Sequence, residues 1–199
     1  MKKNIVAVGI LLAFVTTAKA QTSFFAETQS YMSQKNYSPF EFIWANKYFD
    51  SSKWGVFLFA SATNTWGELY LGPNFTFKSK SKPQNFLEIG AGFGIETDPL
   101  PYRGACYAFF NLQPNALKNK GKVQGLLNAE YGGSGYWYLG FITKNITEKV
   151  AIGIHAQAFT GVWGLRFQYQ PGYFMFYVVP GYSLERNEFG AVVALRCYF

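Results

Sequence analysis

The stretch Phe189-Gly-Ala-Val-Val-Ala-Leu-Arg-Cys-Tyr-Phe199 decides the fold. At a period of two, Phe189, Ala191, Val193, Leu195, Cys197 and Phe199 share one face. Gly190, Val192, Ala194, Arg196 and Tyr198 share the other. Successive side chains of a β-strand point to opposite sides, so this segment has one wholly apolar face and one mixed face that carries a cation.

The same pattern recurs upstream. Leu69, Leu71, Pro73, Phe75 and Phe77 alternate with Glu68, Tyr70, Gly72, Asn74, Thr76 and Lys78. Leu87, Ile89, Ala91, Phe93 and Ile95 alternate with Glu88, Gly90, Gly92, Gly94 and Glu96, and Val150, Ile152, Ile154, Ala156 and Ala158 with Ala151, Gly153, His155, Gln157 and Phe159. Turn residues divide the chain into twelve such segments: 22–32, 39–49, 53–63, 67–78, 85–96, 101–113, 121–132, 135–145, 149–159, 161–169, 173–184 and 188–199. The first alternates poorly; read as an arm, it leaves ten strands. Pro73 and Pro180 each remove a ladder hydrogen bond, which predicts a bulge or a register shift at those places.

Length separates a membrane barrel from a soluble one. Eleven residues rising about 3.3 Å each and tilted by about 40° climb roughly 28 Å, close to the ~25 Å apolar band of a membrane barrel. Strands of soluble proteins run to about 5–6 residues.

Composition agrees. Aromatic residues make up 20% of the chain, yet beyond the first twenty residues no stretch is apolar enough for a transmembrane helix. Residues 1–20 have the form of a cleaved secretory signal: Lys2 and Lys3, an apolar run from Ile5 to Val15, and Ala18-Lys-Ala20 before Gln21. This leaves residues 21–199 as one domain. Losing Lys2, Lys3 and Lys19 takes 18 cations to 15 against 11 acids, a dispersed excess that makes no case for nucleic acid. Cys106 and Cys197 both fall on apolar faces of strands that are not neighbours, which predicts free thiols facing lipid.

A chain of such strands ending on an aromatic resembles the outer-membrane β-barrels of Gram-negative bacteria. The resemblance implies a closed antiparallel up-and-down barrel of twelve strands, with ten as the alternative. It implies a lipid-facing Phe199 read by the barrel-assembly machinery. It also implies termini in the periplasm, with turns near residues 50–53, 78–83, 114–120, 145–149 and 170–172 on that side. Strand number and short loops are similar to those of the nucleoside and acidic-oligosaccharide channels, although no family-specific motif is present.

With the apolar faces outward, the interior collects Glu88, Glu96, Arg103, Gln124, Asn128, Glu130, His155, Gln157, Arg166, Gln168 and Arg196. A twelve-stranded ring leaves room for a narrow passage, especially beside Gly90, Gly92, Gly94 and Gly153. Arg103, Arg166 and Arg196, with His155 beside them, are then expected to form a cationic track selecting small polar or anionic solutes. Pairing of these arginines with Glu88, Glu96 and Glu130 in a plugged structural barrel is the alternative, and an inward Tyr70, Tyr107 and Phe109 favour it. Trp44, Trp54, Trp66, Trp137 and Trp163, with Phe199, are expected at the membrane interfaces.

Enzymatic and soluble readings rank lower. His155 is the single histidine, and without neighbouring Cys or His it makes no standard metal site. The only aspartates, Asp50 and Asp98, lie in turns, so a catalytic triad or a lipid-modifying centre has few groups to draw on. No cofactor motif is present. A soluble lipocalin-like barrel requires the apolar face turned inward.

Overall fold

The computed structural model describes residues 22–49, 52–97, 101–114 and 119–199. The signal segment, Asp50 and Asp98 lie outside them. Twelve strands follow in order: β1 (Thr22–Met32), β2 (Tyr37–Tyr48), β3 (Trp54–Ala62), β4 (Gly67–Lys78), β5 (Phe86–Glu96), β6 (Tyr102–Leu112), β7 (Val123–Gly132), β8 (Gly135–Asn145), β9 (Val150–Gln157), β10 (Val162–Tyr169), β11 (Phe174–Ser183) and β12 (Glu188–Tyr198). Each pairs antiparallel with its sequence neighbours, and β1 closes the ring on β12. We call the rim that holds Thr22 and Tyr198 the lower rim and the opposite one the upper rim.

The first segment is a strand, so the count is twelve and not ten. Thr28 opposes both Glu41 on β2 and Leu195 on β12. The alternation of β1 is weak because its polar side chains turn inward with its large aromatic ones. Glu27, Gln29 and Tyr31 are buried, while Ala26, Thr28 and Ser30 point outward.

The apolar rows face out. Leu71, Phe93, Ile95, Leu127, Ile154, Leu165 and Phe176 are all exposed, as on a barrel surrounded by hydrocarbon, where ring closure satisfies every ladder. This arrangement is the reverse of a lipocalin. Cys106 and Cys197 are free, as expected.

Neither proline introduces a bulge. Leu71 opposes Phe93 and Asn74 opposes Gly90, so β4 and β5 keep one register through Pro73. Around Pro180, Gly164 opposes Gly181 and Phe167 opposes Val178, again one register. Glycines beside each proline explain this. A Cβ on Gly72 would lie 2.1 Å from the Ala91 carbonyl oxygen, and one on Gly164 2.2 Å from that of Pro180. The strands close tightly there because no side chain stands between them, and the lost bond is absorbed without shifting the ladder.

Two of the five tryptophans sit at the rims facing out: Trp54 below and Trp163 above, both more than half exposed. The other three do not form an outer girdle. Trp44 is buried in the lumen, and Trp66 and Trp137 stack on each other with centroids 5.0 Å apart. All three have an inward polar partner: Asn46 for the Trp44 indole N–H, Glu96 for that of Trp66, and the Arg103 guanidinium over the Trp137 ring.

Candidate functional site

The candidate site is the barrel interior. All eleven polar residues assigned inward by alternation are buried: Glu88, Glu96, Arg103, Gln124, Asn128, Glu130, His155, Gln157, Arg166, Gln168 and Arg196. Nine of them gather into two networks separated by aromatic rings, while Glu88 and Gln124 line a space nearer the lower rim.

The upper network surrounds Arg103, near the upper end of β6. Its Nε lies 3.1 Å from Glu68 and 3.5 Å from Glu130, and its Nη1 3.2 Å from Glu96. Nε also donates to the Tyr70 hydroxyl at 2.6 Å, which itself lies 2.7 Å from Glu68 and 2.8 Å from Glu130. Asn128 donates to Glu130, and Ser134 ties Arg103 to Glu96. Three carboxylates thus share one guanidinium. Buried charges persist only when paired and hydrogen-bonded in this way.

The second network links strands on the other side of the ring. Arg196 on β12 pairs with Glu27 on β1, which also accepts from Gln29 and Tyr177. Gln157 donates to Gln29 at 3.1 Å, and Arg166 Nη1 lies 3.3 Å from His155 Nδ1. A guanidinium only donates, so Nδ1 accepts and the imidazole proton sits on Nε2, which donates to Gln157 at 2.8 Å. His155 is therefore a neutral link in a hydrogen-bonded chain. Arg166 has no carboxylate among its described hydrogen-bond partners; its guanidinium carbon rests 3.5 Å from the Tyr177 ring centroid and 4.4 Å from that of Phe141.

Aromatic rings fill the space between. Phe40, Phe42, Trp44, Phe57, Phe59, Tyr70 and Tyr107 form one buried cluster, with Phe109 packed against it. The inward glycines do not line a passage; they receive these rings or a neighbouring strand. A Cβ on Gly90 would lie 2.2 Å from the Tyr107 ring and one on Gly92 2.7 Å from Phe57, while Gly94 and Gly153 press against the carbonyls of Leu69 and Ile142. Towards the upper rim Phe40 stacks on Phe159 at 4.5 Å, and Phe159 on Trp137 at 5.8 Å. These rings pack across the lumen as an aromatic plug.

Below this plug a vestibule of about 400 Å³ opens at the lower rim. Phe25, Trp44, Phe86, Phe109, Phe141 and Tyr198 wall it, and Glu88, Asn46, Gln124 and Arg196 line it more sparsely.

No family model matches the chain, and no curated protein does. Solved structures do. A KdgM porin aligns over 88% of this chain and 99% of its own, with a TM-score of 0.54 at 15% identity. The same porin in complex with disordered oligogalacturonate aligns over 88% and 99%, with a TM-score of 0.55 at 14% identity.

The fold is that of a small porin.

In this porin-type barrel the expected cationic track does not run continuously. Arg103 lies among acids at the upper mouth, whereas Arg166 and Arg196 belong to the other network. Among the described residues five buried carboxylates, Glu27, Glu68, Glu88, Glu96 and Glu130, share the interior with three buried guanidiniums. The interior set expected from the sequence left out Glu27, Gln29, Asn46, Glu68 and Asn74, although the alternation of β4 puts Glu68 and Asn74 opposite its apolar row. Their signal was parity, since Glu27 and Gln29 share the face of Phe25 and Tyr31, and Glu68 and Asn74 that of Tyr70.

Proposed function

We propose that this chain is an outer-membrane porin-type channel for small polar solutes, shut at rest by its own side chains. Its place is the Gram-negative outer membrane, reached by export on the signal of residues 1–20. The assembly machinery would read the β12 edge, where Phe199 lies exposed and donates its backbone N–H to the Phe24 carbonyl at 2.9 Å. The porin fold and the exposed apolar rows support this placement. The observation that carries the closed state is the contact of Phe40 with Phe159 above a lumen whose arginines are buried. The excess of buried carboxylates over buried guanidiniums favours neutral or cationic solutes over anions. A channel reading also suits His155, whose partners are Arg166 and Gln157 and include no nucleophile.

A second reading, a non-conducting structural barrel, is favoured by the way Arg103 and Arg196 are each consumed by acids. Voltage-ramp recording of the refolded chain in planar bilayers separates the two. Openings that appear under voltage support the channel. Silence at every voltage, alongside a plug-deleted variant that conducts in the same bilayers, overturns it in favour of the structural barrel.

A further inference from the structure

We propose that the lower vestibule binds a small organic cation, an amine or quaternary ammonium carried on an apolar or aromatic body. The vestibule opens at the lower rim whether or not the plug moves, so this site does not depend on conduction.

The volume of about 400 Å³ falls within the range of small-ligand sites. Aromatic rings supply most of the wall, and ring faces attract cations. Of the charged side chains lining the vestibule, Arg196 pairs with Glu27 and Lys78 stands exposed at the mouth, whereas Glu88 is buried with no ion pair among the described residues. Glu88, 1% exposed, accepts from the Tyr107 hydroxyl at 2.7 Å, from Asn46 at 3.1 Å, from Thr76 at 3.3 Å and from the Tyr48 hydroxyl. Every one of these donors is neutral. The other four buried carboxylates each pair with Arg103 or Arg196. Beside Asn46, Asn74 is also 1% exposed and leaves its Oδ1 without a donor. The floor therefore has a surplus of acceptors and a carboxylate held by neutral donors alone, set under aromatic faces.

An anion would fare worse. Arg196 on the opposite wall is already paired with Glu27 and capped by the Phe25 ring at 4.1 Å. Lys78, at the open mouth, is exposed.

The test uses the full chain refolded in lipid nanodiscs and three probes of one skeleton: 2-phenylethylammonium, neutral 2-phenylethanol and anionic 3-phenylpropionate. Calorimetric titration is expected to show the ammonium binding about tenfold or more tighter than either partner. Glu88→Gln should remove that preference while the barrel keeps its heat-modifiable gel mobility. Gln124→Trp, which fills the vestibule and leaves the carboxylate in place, should abolish binding and keeps the question decidable if Glu88→Gln does not fold. Equal binding of the three probes, preference for the carboxylate, no binding at all, or ammonium binding indifferent to Gln124→Trp each overturns the proposal.

Discussion

Phe40 of β2 and Phe159 of the β9–β10 turn stack with ring centroids 4.5 Å apart, although five strand pairings separate β2 from β9 around the ring. A contact of this kind requires both rings to reach into the lumen from nearly opposite walls. It sets two rings across a lumen that other buried aromatic side chains also fill. Phe40→Ala with Phe159→Ala is predicted to convert the closed barrel to a steadily conducting one. The variant loses several kcal/mol of stability, on the order of 3–5 for buried Phe40 and less for the partly buried Phe159. Single-channel recording and urea unfolding from vesicles measure the two effects.

Arg103 holds three carboxylates together, so its removal is predicted to cost more than the loss of any one of them. Arg103→Ala leaves Glu68, Glu96 and Glu130 facing each other without a cation, a penalty of about 3–5 kcal/mol. Glu130→Gln still leaves Arg103 two acids and should be much milder. Unfolding midpoints of the two variants in the same lipid provide the comparison.

Charge balance predicts the selectivity of the opened barrel. With five buried carboxylates against three buried guanidiniums, the Phe40→Ala, Phe159→Ala variant should prefer cations. Glu88→Gln and Glu130→Gln introduced into it should weaken that preference. Reversal potentials across a potassium chloride gradient give the sign; an anion preference would restore the cationic track expected from the arginines alone.

The inward glycines make a graded prediction. Alanine at Gly153 places a Cβ 1.9 Å from a backbone carbonyl, that of Ile142, whereas alanine at Gly90 meets the Tyr107 ring at 2.2 Å. A ring can turn aside and a ladder cannot. Gly90→Ala is predicted to cost about 1–3 kcal/mol and to change the near-ultraviolet dichroism as Tyr107 leaves Glu88, with Gly153→Ala costing more. Equal losses would contradict this account of the notches.

The sequence carried the barrel almost whole, because a lipid-facing strand must keep every second side chain apolar and the rows of β4, β5 and β9 do so without interruption. It also placed Arg103, Arg166, Arg196 and His155 on the inner face. It did not say which of them meet. Arg196 and Glu27 lie 169 positions apart and become neighbours only when β1 closes the ring on β12. β1 itself was the least legible strand, since the middle of its outward face, Ala26, Thr28 and Ser30, is small and polar where lipid-facing rows are usually aliphatic. The inward tryptophans were misplaced for a related reason. A Trp near a strand end suits an interfacial girdle, and only parity, which puts Trp137 on the face of Phe141 and Thr143, turns it into the mouth.

The most direct measurement is the resting conductance of the wild-type chain at low voltage in planar bilayers, recorded beside the Phe40→Ala, Phe159→Ala variant. The closed lumen predicts a wild-type barrel that inserts and passes no steady current while the variant conducts. A steady open-pore conductance from the wild type, equal to that of the variant, would contradict it.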